Sequence, residues 1–128
     1  MNKLVWETPV PSSSFLRGVQ LEIKPARTIS LSFEYESESG QLERDEVLFE
    51  GVVEYAVTYL NALRVDQIKD AYDRLLEVQD RQDLVDVKAA CNANDRKLDL
   101  HLYEICFDDG PCYKVACERV ITPSAKVA

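Results

Sequence analysis

Apolar and polar residues alternate over two early stretches of the chain. Val19, Leu21 and Ile23 alternate with Gln20, Glu22 and Lys24, and Ile29, Leu31, Phe33 and Tyr35 alternate with Ser30, Ser32 and Glu34. Successive side chains of a strand point to opposite faces, so this period predicts two half-buried strands joined at Pro25-Ala26. Before them, Pro11 and Ser12 to Ser14 mark a turn after a short first strand. Residues 36–46 are polar around Gly40 and read as a solvated loop. From Val47 to Tyr59 the odd positions are apolar apart from Gly51, which predicts one long strand or two strands bent there.

The period then changes. Asp66 is placed to cap a helix carrying Ile68, Tyr72, Leu75 and Leu76 on one face, with Lys69/Asp73 and Asp70/Arg74 as supporting pairs four apart. A second helical segment is expected over 82–91, with Leu84, Val87 and Cys91 inward. Leu98 to Phe107 and Cys112 to Ile121 flank Asp108-Asp109-Gly110-Pro111, a hairpin with turn residues at its tip. Pro111 lacks an N–H, so a four-residue loop pairing Phe107 with Cys112 is expected. The fold predicted is α+β: a twisted antiparallel sheet of about six strands with one or two helices packed on one face. Residues 1–128 form a single domain in this reading.

Charge narrows the classes of partner. The chain of 128 residues has a formal net charge of −8. Such a domain repels phosphate backbones and anionic headgroups, so nucleic acid and membranes are poor partners and a basic protein is a better one. The N-terminus has no long apolar run after Lys3, so a cytoplasmic location is expected, with Cys91, Cys106, Cys112 and Cys117 as free thiols. No cofactor or metal is called for.

The expected hairpin register sorts the candidate chemistry. With Phe107 opposite Cys112, one face holds Leu102, Glu104, Cys106, Tyr113 and Cys117, and the other holds His101, Tyr103, Cys112 and Glu118. His101 and the cysteines then do not converge on a metal, and no Cys-x-x-Cys pair exists. His101, the one histidine, faces Glu118, which would raise its affinity for a proton. Asp108-Asp109 read as turn residues, since a calcium loop needs further oxygen ligands at fixed spacing. Glu104 falls on the apolar face, where an unpaired carboxylate is costly; either it reaches a partner such as Arg119 or that face opens into a pocket. Asp66, Asp70, Asp73 and Glu77, at helical spacing, form an acidic stripe suited to a basic protein surface.

Three segments carry a family resemblance: Leu48 to Tyr55, Ala71 to Val78, and Leu100 to Tyr113, the last with its Phe-Asp-Asp…Cys-Tyr hairpin. Together they resemble a group of small uncharacterised bacterial proteins, some of them similar to immunity proteins of toxin–immunity systems. The resemblance implies a fold and a neutralising partner interaction, and brings no catalytic residues with it. The chain departs from that pattern in three places. Pro111 follows Gly110, Lys114 stands where a glutamate is expected, and Arg81 to Leu84 replaces a Ser-x-Trp-Leu pattern.

Two functions follow as expectations. One is a non-catalytic acidic protein-binding module, of the immunity type, acting through Asp66, Asp70, Asp73 and Glu77. The alternative is a small-molecule binder or enzyme with a pocket near His101, Tyr103 and Glu104.

Overall fold

A computed structural model describes residues 2–59, 71–79, 99–108 and 111–123. Nine strands fall in that set: β1 (Lys3–Glu7), β2 (Gln20–Lys24), β3 (Thr28–Glu36), β4 (Leu42–Glu50), β5 (Glu54–Thr58), β6 (Arg74–Val78), β7 (His101–Cys106), β8 (Cys112–Cys117) and β9 (Arg119–Ile121). They form two antiparallel sheets, ordered β1-β6-β7-β8-β5 and β2-β3-β4-β9. Among the described residues the helical positions are a 3-10 turn, Ser12–Ser14, and Ala71. The α+β expectation is therefore corrected to an almost entirely β framework of two sheets.

The expected helix from Asp66 fails over its second half. Arg74–Val78 is a strand, paired with β1 on one side and β7 on the other. Its adjacent Leu75 and Leu76 point to opposite faces, and both are buried. A strand buried on both faces loses the polar alternation that announces it, so an apolar pair three or four residues from Tyr72 imitates a helical stripe. Asp66, Asp70 and the expected helix over 82–91 lie outside the described residues. The polar stretch 36–46 is likewise shorter as a loop than expected, because β4 begins at Leu42 and pairs along all of β3.

The main core lies between the sheets. Ile29, Leu31, Val47 and Phe49 from the four-stranded sheet meet Leu75, Tyr103, Ile105, Tyr113, Val115 and Cys117 from the five-stranded one. Phe15 stacks on Phe33 at 4.3 Å and extends this core towards Trp6. The far face of the five-stranded sheet is also buried, at Leu76, Val78, Leu102, Cys106, Cys112 and Ala116.

The chain passes between the sheets at one corner. β4 leaves the four-stranded sheet at Gly51 and becomes β5 of the other, so the bend expected at Gly51 is present. β8 makes the reverse passage through Glu118 into β9. Three backbone bonds tie the corner: Glu118 N–H to Glu50 at 3.0 Å, Val52 N–H to Arg27 at 2.9 Å and Val53 N–H to Ala116 at 2.9 Å. Strands that switch sheets through bends are the usual way to make such a corner.

The β7–β8 register differs by one residue from expectation: Cys106, not Phe107, stands opposite Cys112. A one-residue slip moves every side chain of one strand to the other face. Cys106 and Cys112 thereby become neighbours and are joined in a disulfide, while Cys117 is free and buried. The expectation of free thiols is corrected for that pair, and Cys91 lies outside the described residues.

Candidate functional site

The slip in register reassigns the candidate residues. Glu104 faces Lys114 across the β7–β8 ladder and Leu76 across β6–β7, so its strand neighbour is a lysine and not the expected Arg119. His101 faces Cys117, not Glu118. His101 and Tyr103 lie on the core side of the sheet with ring centroids 6.1 Å apart, and Glu104 points to the opposite side. The three residues expected to share a pocket are thus divided between two faces.

His101 sits between two carboxylates. Its Nδ1 is 3.0 Å from Oε2 of Glu77, and its Nε2 is 3.5 Å from Oδ2 of the exposed Asp99. The hydrogen bond to Glu77 holds the imidazole above its ordinary pKa, opposed by partial burial and helped by the charges of Glu77 and Asp99. Burial pushes the neighbouring Tyr103 phenol up to about 12, with the Glu77 charge adding to it.

A histidine opposite a cysteine invites a nucleophilic reading, and the electrostatics argue against one here. The Cys117 thiol is fully buried and burial pushes it up to about 12. Its Sγ hydrogen donates instead to the carbonyl of Arg119 at 3.4 Å. A thiol in that state is not a thiolate at neutral pH, and the thiolate is the reactive form. The His101 imidazole is already engaged by Glu77.

Of the expected acidic stripe, two residues are described, and both serve the fold. Asp73 precedes β6 with φ +58, and its Oδ2 accepts the Ser12 N–H at 3.0 Å. Its own N–H donates to Cys106 at 2.8 Å, and its carbonyl accepts the Thr8 N–H at 3.0 Å. Glu77 lies in β6 and is the partner of His101. Asp66 and Asp70 lie outside the described residues.

The acidic surplus has a different location. The residues outside the described set carry seven acidic and seven basic side chains, so the whole net charge of −8 belongs to the described framework. Within it the β3–β4 hairpin is the most acidic stretch. Residues 34–46 hold Glu34, Glu36, Glu38, Glu43, Asp45 and Glu46 against the single base Arg44. Glu36, Glu38 and Leu42 are exposed at its end. Elsewhere basic residues are engaged within the chain, as in Lys24–Glu46, Arg27–Glu118, Arg74–Glu7 and Arg119–Glu50. Sequence reading missed this hairpin because it took residues 36–46 for a loop; their charge count was the available signal. No family model, curated protein or solved structure matches the chain.

Proposed function

We propose that this protein is a non-catalytic acidic binding module whose ligand is a basic protein, with immunity-type neutralisation of a toxin as the resembled case. The observation that supports it is the concentration of acidic residues on the β3–β4 hairpin, six against one arginine over residues 34–46, with Glu36 and Glu38 exposed beside Leu42. A surface of one sign steers an oppositely charged protein into encounter, and an apolar residue within it gives the docked complex something to bury. The contacting residues in this reading are Glu36, at the end of β3, and Glu38, in the turn that follows, and not the internally engaged Asp73 and Glu77.

The test is capture of partners from the native host at low and high salt, with the wild-type chain and with Glu36→Lys/Glu38→Lys. A basic protein that is retained at low salt, released at high salt and lost with the double substitution supports the reading. A captured partner indifferent to both salt and substitution overturns it. The pocket alternative is less favoured, because Glu104 and His101 occupy opposite faces of the same strand.

A further inference from the structure

We draw no further inference here: the strongest candidate, the apolar cleft of about 190 Å³ between β2 and β5 lined by Ile23, Ile29, Val52, Val53 and Tyr55, carries nothing, because its Arg27 guanidinium is already paired with Glu118 and nothing in the structure shows what covers it.

Discussion

Gly51 and Glu118 occupy the same corner from opposite directions, and the space between them admits no side chain on Gly51. A Cβ there would lie 2.8 Å from Cβ of Glu118 and 2.2 Å from its Oε2. Gly51 also has φ +69, a conformation that costs other residues about 1–3 kcal/mol. Gly51→Ala is expected to destabilise the fold by about 2–4 kcal/mol, the sum of backbone strain and the forced displacement of Glu118. Glu118→Gly in the same chain should recover the steric part and leave the backbone part. Urea midpoints of the four members of this cycle separate the two; equal losses in the presence and absence of the Glu118 side chain would rule out the contact.

Asp73 turns the chain into β6 in the left-handed region, with φ +58, and holds the Ser12 N–H with one carboxylate oxygen. Asn and Asp adopt that conformation more readily than alanine does. Asp73→Ala is expected to cost about 2–3 kcal/mol, from backbone strain and one lost hydrogen bond to a charged acceptor. Asp73→Asn keeps the conformation and an acceptor and should cost less. Thermal denaturation of the two variants decides it, and equal losses would mean that the side chain matters and the backbone conformation does not.

β3 was legible in the sequence because small polar and apolar side chains alternate along it, although Ser30 and Ser32 are themselves buried. Ile29, Leu31, Phe33 and Tyr35 alternate with partly polar positions, and β3 covers them all. The five-stranded sheet gave its pattern away less readily because both of its faces carry mostly apolar side chains. In β7 and β8, Leu102, Cys106, Cys112 and Ala116 are buried on one side, and Tyr103, Ile105, Tyr113, Val115 and Cys117 on the other. Sliding one strand past the other by a residue exchanges one apolar set for another, so hydrophobicity alone does not fix the register. The same absence of contrast hid β6 behind a helical stripe at Leu75 and Leu76.

That register error also concealed the relationships that matter for chemistry. Sequence spacing identified His101 as a histidine paired with a carboxylate, and the structure supplies one. The partner is Glu77 from β6, however, rather than Glu118 from the same hairpin. A contact made through the sheet from a strand read as a helix leaves no local signal. The acidic character was legible as a total, and its placement on β3–β4 depended on knowing that Leu42–Glu50 is strand.

Cys106 and Cys112 close a loop with a sequence separation of 6, short enough that their bond removes little freedom from the unfolded chain. Loop-closure entropy puts the stabilisation near 2 kcal/mol. Cys112→Ala is expected to lower stability by about that amount and leave the fold intact. Rapid alkylation of the host before lysis reads the bond in place: protected Cys106 and Cys112 are expected, and full labelling of both would show the pair reduced in its own compartment. The native Cys117 thiol, buried and held protonated, should label only after denaturation.

His101 makes stability depend on pH in a definite direction. Its pKa is raised above 6.5 in the folded chain, chiefly by the hydrogen bond to Glu77. The folded state therefore holds the proton more tightly than the unfolded state does. The resulting stabilisation is complete below the unfolded value near 6.5 and disappears as pH rises through the raised folded value. The pair is partly exposed, so solvent screening keeps its contribution below about 1 kcal/mol. Urea midpoints are expected to fall between pH 6 and pH 8 in the wild type, and His101→Gln should flatten this slope. Glu77→Gln should flatten it too, because the neutral amide no longer favours the imidazolium. A slope that survives both substitutions would place the titrating group elsewhere.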